Sequence, residues 1–142
     1  MKKRYFDDLK DGEHLHCQPV VMNKEAIIDF GNKFDPQPFH IDENAASESL
    51  FGGLVASSLH TLSACTRVVV EAQENVAILS GVGMHEAKMF NPVRPGDVLA
   101  VNARWTELTK DHGANQTGGL HQSSARLQIS EMSQSLNMAI GT

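Results

Sequence analysis

The order of hydrophobic spacings along the chain constrains the fold more than any other sequence feature. Residues 23–71 place apolar side chains at helical spacing, whereas residues 76–140 are largely strand-like. Helices followed by a run of strands in a short chain indicate an α+β fold. A length of 142 residues fits one domain with a buried core, and the chain contains no internal repeat or linker. We therefore expect a single domain over residues 1–142.

The first half of the chain carries start signals for two short helices. Asn23 is a suitable N-cap for a helix that ends near Phe34, where Asp35-Pro36 stops it. Asp42 can cap a second helix that ends near Ser49. The apolar face expected for the first helix comprises Ile27, Phe30 and Phe34.

A third and longer helix is predicted over residues 54–71. The glycines of Phe51-Gly52-Gly53 interrupt the chain before it. The first half of this helix is rich in alanine and serine, which would let neighbouring backbone approach closely. One stripe of this helix comprises Val55, Leu59, Leu62, Thr66 and Val69.

The rest of the chain is strand-like. Residues 98–109 alternate most regularly between apolar and polar side chains. Gly81 and Gly83 predict a bulge or bend, and Pro95-Gly96 predicts a type II turn. The predicted strands span residues 14–21, 76–90, 98–109, 120–129 and 132–140, with a polar loop over 110–119. The last two strands are weak, because serine and glutamine dilute their apolar residues. One face of 98–109 carries Val98, Ala100, Asn102 and Arg104, and the other carries Leu99, Val101, Ala103 and Trp105.

A proline-bent segment after the first helix brings two groups of complementary chemistry together. Asp35 and His40 are separated by Pro36-Gln37-Pro38. Each proline fixes its own φ and disfavours a helical conformation in the residue before it, so Asp35 and Gln37 are expected to be extended in a bent loop. A carboxylate and an imidazole held in this way can converge on one water or one substrate proton. Spacing alone also allows Asp35 to cap a turn and His40 to lie on a surface loop.

The spacing Asp35-x-x-Pro38-x-His40 resembles the hydratase motif of the MaoC-like acyl dehydratases, which are related to the (R)-specific enoyl-CoA hydratases. Two further stretches follow the family's order: Ile41-Asp42-Glu43 and Phe51-Gly52-Gly53-Leu54-Val55-Ala56-Ser57. The opening Tyr5-Phe6-Asp7-Asp8-Leu9 and the later Asn91-Pro92-Val93-Arg94-Pro95-Gly96-Asp97 are also similar. The resemblance covers roughly residues 5–107 and is weak over 107–142. It implies a hot-dog fold, in which an antiparallel sheet wraps around a long central helix.

The resemblance also implies a reaction, the interconversion of a trans-2-enoyl thioester and a 3-hydroxyacyl thioester without a cofactor or a metal. Histidine is the usual general base near neutral pH, so His40 would take a proton from water while Asp35 orients the same water. The substrate would be an acyl group carried on coenzyme A or on acyl carrier protein. Hot-dog relatives commonly pair, so a homodimer or a higher homo-oligomer is expected.

The same resemblance assigns an oxyanion site near the start of the long helix. The thioester carbonyl becomes an enolate as water adds, and the unpaired backbone N–H groups of a helix start can stabilise that charge. The donor would be the N–H of Ser58, where relatives commonly have glycine, with Ser57 and Gly53 as further substrate-binding residues. The residues themselves also allow Ser57 and Ser58 to be merely small side chains that permit close packing.

Composition excludes several other classes of function. The net charge is -5 and the basic residues are scattered, which argues against a nucleic-acid surface. No apolar run reaches transmembrane length, and the basic amino terminus is not followed by the apolar region of a signal peptide, so we expect a cytoplasmic protein without a membrane partner. Cys17 and Cys65 are far apart and predict two buried or half-buried thiols rather than a disulfide or a zinc site.

Two alternative functions remain open from the sequence. One is another hot-dog acyl-thioester enzyme such as a thioesterase, which would need a carboxylate or an activated water beside the thioester carbon, and Glu71 lies far along the helix from the motif. The other is a non-catalytic acyl-binding or scaffold protein, since weak strands near the carboxyl terminus could leave a pocket incomplete. His60 is expected to pack within its helix, and the remaining histidines have no metal-like spacing.

Overall fold

The computed structural model describes residues 2–79, 81, 83–110, 124–131 and 137–141. Within these residues the helices are α1 Lys24–Phe34, α2 Pro38–Ile41, α3 Glu43–Glu48 and α4 Ser58–Ala72, preceded by a short 3₁₀ helix Phe6–Asp8. The strands are β1 His14–His16, β2 Val20–Val21, β3 Gly83–Lys88, β4 Val98–Leu99, β5 Val101–Thr109, β6 Ser124–Glu131 and β7 Asn137–Gly141. None of the described helices is long and apolar enough to span a membrane.

The strands form an antiparallel sheet on which the long helix packs. The described five-stranded sheet has the order β1-β5-β6-β7-β3, and β2 pairs with β4 in a second, two-stranded sheet. Every one of these pairs is antiparallel. Helix α4 contacts β5, β1 and β2. This arrangement confirms the predicted α+β fold.

The core lies between α4 and the central strands. The regular alternation predicted for residues 98–109 is confirmed, because Trp105 is fully buried while Val98 and Arg104 are exposed. The two helix caps are also confirmed: the Asn23 carboxamide accepts from the Ala26 N–H, and the Asp42 carboxylate accepts from two N–H groups at the start of α3. The buried members of the β4–β5 face are Leu99, Val101, Ala103 and Trp105.

Helix α4 begins four residues later than predicted, at Ser58. The preceding backbone is committed to other partners, since the Val55 N–H donates to the Phe39 carbonyl and the Ala56 N–H donates to the Val93 carbonyl. The predicted stripe is therefore only partly confirmed, because Val69 is buried and Leu62 packs against the core but Leu59 is 53% exposed. The buried face of α4 comprises Thr61, Cys65, Val68 and Val69.

The predicted apolar face of α1 is partly wrong. Ile27 is buried as expected, but the next buried residue is Gly31, and Phe34 is 66% exposed. Phe30 lies between these extremes, half-buried, with its ring centroid 5.0 Å from that of Phe34. The glycine occupies the position where α2 crosses α1, as described below.

The predicted strands differ from the structure mainly in length. Residues 14–21 divide into β1 and β2, and the described part of residues 76–90 contains a strand only at β3. Val76 instead forms an isolated bridge with Arg4. A register shift lies between Met84 and Ala87, beyond the two glycines at which a bulge or bend was predicted. The predicted turn is present, with Gly96 at φ 88° and the Asp97 N–H donating to the Arg94 carbonyl.

The carboxy-terminal predictions are only partly covered by the structure. Strands β6 and β7 overlap the predicted segments 120–129 and 132–140. The predicted loop 110–119 lies outside the described residues apart from Lys110. Cys17 is half-buried and Cys65 is buried, which agrees with the burial predicted for the two side chains.

Candidate active site

The proline-bent segment is part loop and part helix. Gln37 is extended as predicted, with φ -72° and ψ 139°. The prediction of a loop throughout is wrong, because Pro38 begins the one-turn helix α2 that contains His40. Proline is favoured at the first helical position, where its missing N–H costs nothing. The Gln37 side chain is exposed and does not cap this helix.

His40 is buried, with 7% of its surface exposed, and its tautomer is fixed by a backbone contact. Its Nδ1 lies 2.7 Å from the carbonyl oxygen of Val55. Because a carbonyl can only accept a hydrogen bond, Nδ1 must carry the proton of this contact. In the neutral imidazole, Nε2 is then left with a lone pair and can accept a proton.

The lone-pair nitrogen of His40 faces the carboxylate of Asp35. Nε2 lies 3.4 Å from Asp35 Oδ2. The same Oδ2 accepts a hydrogen bond of 2.7 Å from Ser57 Oγ, which fixes the direction of the carboxylate. Asp35 ends α1, His40 lies in α2 and Ser57 is the N-cap of α4. Three helices therefore bring this carboxylate, imidazole and hydroxyl together.

Two proton acceptors thus converge at one point. A neutral His40 presents Nε2 and an ionised Asp35 presents Oδ2, and neither atom can donate to the other. A molecule with two O–H or N–H donors would satisfy both atoms at once. The arrangement is therefore suited to hold such a molecule and to remove one of its protons.

A cavity of about 310 Å³ opens beside His40. Eight of its twelve lining residues are apolar, and the four polar ones are His40, Ser58, Thr61 and Asn91. Asp35 is not among the lining residues, although its side chain is 28% exposed. The apolar part of the wall includes Phe39, Phe51, Val55, Phe90, Pro92 and Val93. The cavity is suited to an apolar group whose reacting atoms lie next to the imidazole.

The three residues predicted for the oxyanion site have different surroundings. Ser58 is the first residue of α4 and lines the cavity, and its backbone N–H has no hydrogen-bond partner in the described part of the chain. Ser57 is 1% exposed, and its Oγ both donates to Asp35 and accepts from the Leu59 N–H. Gly53 is not a lining residue and lies beside the guanidinium of Arg94. Among the described residues, no group of three or more histidine, cysteine or acidic side chains could hold a metal ion.

Gly31 is a site residue that sequence reasoning missed. A Cβ at this position would lie 2.8 Å from Ile41 Cγ2 and 3.1 Å from both the Cβ and the carbonyl oxygen of His40. The absence of a side chain therefore lets α2, which carries the imidazole, lie directly against α1. A glycine in the interior of an amphipathic helix, where alanine is favoured, was the available signal.

We expect Gly31→Ala to destabilise the protein, although glycine to alanine within a helix ordinarily stabilises. The added methyl group would overpack the contact with α2, at a typical cost of about 1–3 kcal/mol. Urea unfolding measures the change in the free energy of unfolding. The control is Asn32→Ala on the exposed side of the same helix, which should have a free energy of unfolding within about 0.5 kcal/mol of the parent. A Gly31→Ala variant more stable than the parent would show that α2 does not lie this close.

His60 lies outside the cavity and has its own environment. Its ring stacks on Phe30 at a centroid distance of 4.8 Å, and its Nδ1 is buried without a hydrogen-bond partner in the described structure. Burial lowers the pKa of the His60 imidazole below its ordinary value, because the charged form is poorly solvated there. The prediction that His60 packs within its helix is consistent with this contact.

The depressed pKa of His60 predicts an acid-dependent loss of stability. Below about pH 6.5 the unfolded chain protonates this imidazole while the folded protein resists protonation, so the free energy of unfolding falls as pH falls. His60→Phe, which keeps the ring stack, should shrink the drop in Tm between about pH 7.5 and about pH 5.5. Thermal melts of both proteins at the two pH values measure it. An equal drop in the two proteins would remove His60 as the cause.

The comparisons with known proteins agree on one family. The model of the MaoC-like domain matches residues 9–125. The uncharacterized protein YdeM of Bacillus subtilis is 31% identical over 95 residues, which are 66% of this chain and 67% of that protein. The crystal structure of a MaoC-like dehydratase from Rhodospirillum rubrum is 30% identical, with a TM-score of 0.74 and 94% of each chain covered.

A more distant structure extends the likeness of fold. The (R)-hydratase PhaJ1 of Pseudomonas aeruginosa is 13% identical, with a TM-score of 0.71 over 96% of this chain and 82% of that one. At this identity the likeness concerns the fold alone. Together with the family match, these structures confirm the predicted hot-dog fold.

Proposed function

The chain belongs to the MaoC-like domain family, and we propose that it is a hydro-lyase that interconverts trans-2-enoyl and 3-hydroxyacyl thioesters. One observation carries the proposal: His40 Nε2, left with its lone pair by the Nδ1 contact to Val55, lies 3.4 Å from Asp35 Oδ2 beside a cavity whose lining residues are mainly apolar. The similarity to a solved MaoC-like dehydratase at 30% identity supports the same class of reaction. The thioester would be carried on coenzyme A or on acyl carrier protein.

The proposed mechanism uses the two acceptors on one water molecule. His40 Nε2 takes one proton of the water as its oxygen bonds to the β-carbon, and Asp35 orients the water by accepting its second O–H. The electron pair of the carbon–carbon double bond moves toward the thioester carbonyl and gives an enolate. The proton on Nε2 then passes to the α-carbon, which restores the neutral imidazole. Because both groups come from one side, both add to the same face of the double bond.

The enolate oxygen needs donors that are in place before the charge develops. The Ser58 N–H is suited to this role, because it is the first amide of the 15-residue helix α4 and lies at the positive end of the helix dipole. The sequence resemblance implies that Ser57 contacts substrate. In this proposal its hydroxyl instead holds the Asp35 carboxylate. Gly53 has no proposed contact with substrate.

Hydration of crotonyl-CoA, followed by loss of the enoyl absorbance, tests the proposal directly. Release of free thiol in the same assay would instead identify a thioesterase, and binding without either change would identify an acyl-binding protein. The carboxylate considered for a thioesterase, Glu71, pairs with Arg67 at 2.9 Å on the last turns of α4, about 20 Å along the helix from Ser58. No turnover of any enoyl thioester would overturn the proposal.

We also propose that the chain forms a homodimer. Strand β3 is an edge of the five-stranded sheet, so its outer backbone groups need a partner or protection. The adjoining side chains of Met84 and Phe90 are exposed and apolar. Light scattering at micromolar concentration is expected to give the mass of two chains, and a monomer under these conditions would contradict it.

A further inference from the structure

Arg94 connects two loops at one wall of the cavity. It lies between β3 and β4, and its Nη2 donates a hydrogen bond of 2.6 Å to the carbonyl of Phe51. Its own backbone is held by the turn that follows: the Arg94 N–H donates to Asp97 Oδ2 at 2.8 Å, and the Asp97 N–H donates to the Arg94 carbonyl at 3.1 Å. The guanidinium is therefore a fixed donor, and no carboxylate of the described residues lies within ion-pair distance of it.

The loop that Arg94 holds is otherwise restrained by local bonds, from the Phe51 N–H to Ser49 Oγ at 3.2 Å and from the Gly52 N–H to the Ser49 carbonyl at 3.0 Å. Gly52 and Gly53 follow Phe51, and Leu50 before it is almost fully exposed. Gly52 has φ 66°, and a Cβ on Gly53 would lie 3.4 Å from Arg94 Nη1. A loop with an exposed leucine on one side and two glycines on the other gains little from packing. Beside these local bonds and the ring contact with Phe39, the bond from Arg94 ties Phe51 to a distant part of the chain.

The position of Phe51 matters because its ring is part of the cavity wall. The ring centroid lies 5.0 Å from that of Phe39, and the Phe39 ring lies edge-on to the His40 imidazole at 4.6 Å. All three rings line the cavity. A movement of the loop at Phe51 would therefore change the space available to a bound apolar group on the side next to the imidazole.

We propose that Arg94 is a positioning residue that holds Phe51 as a rigid wall of the acyl pocket, and that this pair sets the acyl length the site accepts. The inference rests on the proposed function, since it takes the cavity to be the acyl site. A rigid aromatic wall excludes chains that a yielding wall would admit. Hydrophobic pockets discriminate by about 10- to 200-fold per methylene at most, so loosening the wall should cost a measurable part of that selectivity.

The test compares binding across acyl lengths in four variants. Arg94→Met removes the hydrogen bond but keeps the length of the side chain, Arg94→Lys keeps the charge, and Phe51→Ala removes the wall itself. Arg67→Met is the matched control, because Arg67 is an exposed arginine whose pair with Glu71 lies on the helix surface. Kd values for butyryl-, octanoyl- and dodecanoyl-CoA are measured by calorimetry, which needs no turnover, and folding is checked by circular dichroism.

Arg94→Met and Phe51→Ala are expected to shift the ratio of dodecanoyl-CoA to butyryl-CoA affinity about tenfold toward the longer chain. Arg94→Lys should shift it less, and Arg67→Met should leave it unchanged. If Arg94→Met does not fold, a shift in Arg94→Lys supports the proposal and its absence overturns it. If Arg94→Met folds and has the same ratio of dodecanoyl-CoA to butyryl-CoA affinity as the parent, the proposed role of Arg94 is overturned. This holds even if Phe51→Ala shifts the ratio. Length-selective binding without hydration of any enoyl-CoA overturns the proposed reaction alone, and absence of binding overturns both.

Discussion

Asp35→Asn is expected to lower kcat for hydration of crotonyl-CoA by about 10²- to 10⁴-fold. The amide has nearly the size of the carboxylate and can still accept the hydrogen bond from Ser57 Oγ, but it lacks the charge that holds and orients the attacking water. Because the Asp35 side chain is partly exposed, the substitution should change the free energy of unfolding little. Steady-state kinetics and thermal melts measure the two quantities separately.

His40 requires a more careful substitution, because it is buried. Alanine would leave the Val55 carbonyl without its donor, at a cost of about 1–3 kcal/mol, so a loss of activity would be mixed with a loss of stability. Glutamine can keep a donor toward that carbonyl while removing the base. We expect His40→Gln to lower kcat in the same range as Asp35→Asn. The double variant should be little worse than the worse single variant, because the two groups act on one water.

A neighbouring carboxylate provides the control for this pair of variants. Asp29 lies on α1, whose C-cap is Asp35, but it is exposed and paired with Lys33 at 2.7 Å. Asp29→Asn should leave kcat unchanged and alter stability by no more than about 0.5 kcal/mol. Parent-like kcat in both site variants would reject the dyad. A large fall in Tm for Asp35→Asn would instead assign Asp35 a structural role at the end of α1.

The second large effect is expected at Ser58. If its backbone N–H stabilises the enolate, Ser58→Pro deletes that donor and should lower kcat by about 10²-fold or more. Ser58 is the first residue of α4, where proline is well tolerated. The preceding Ser57 has φ -56° and ψ 140°, which is the conformation that a residue before proline prefers. Circular dichroism should therefore show the helix content of the parent.

Two milder substitutions separate the N–H of Ser58 from its hydroxyl. Ser58→Gly and Ser58→Ala both keep the backbone donor and remove the side-chain oxygen. Both should retain most of the activity, and the glycine variant could accept bulkier acyl groups because it clears the cavity wall. If either loses as much kcat as Ser58→Pro, the hydroxyl is the working group and the backbone assignment is wrong.

Features that depend on neighbouring residues were predictable from the sequence. The caps at Asn23 and Asp42 are local hydrogen bonds, and their signals give the starts of α1 and α3 correctly. The alternation that buries Trp105 is likewise a pattern of adjacent residues in the sequence. The start of α4 was not predictable in this way, because Val55 and Ala56 donate to carbonyls in separate parts of the chain.

The candidate site was likewise only partly predictable from the sequence. The family resemblance brought attention to Asp35 and His40, and the structure places them within 3.4 Å of each other. The partner that fixes the His40 tautomer is a backbone carbonyl, which carries no residue signature. Gly31 and Arg94 act through residues distant in sequence, and their roles follow from packing between segments.

The hydrogen bond from the Ala56 N–H to the Val93 carbonyl affects the order in which the parts of the protein fold. It joins the segment that supplies the Val55 carbonyl to the connection between β3 and β4, and Val93 of that connection is part of the cavity wall. Contacts that close long loops tend to form late in folding. A chain whose helices had formed without that docking would contain Asp35, His40 and the local bond from the Val55 N–H to the Phe39 carbonyl, yet lack this part of the wall. Recovery of activity on refolding should accordingly report the last docking step, and it should lag the recovery of helical signal.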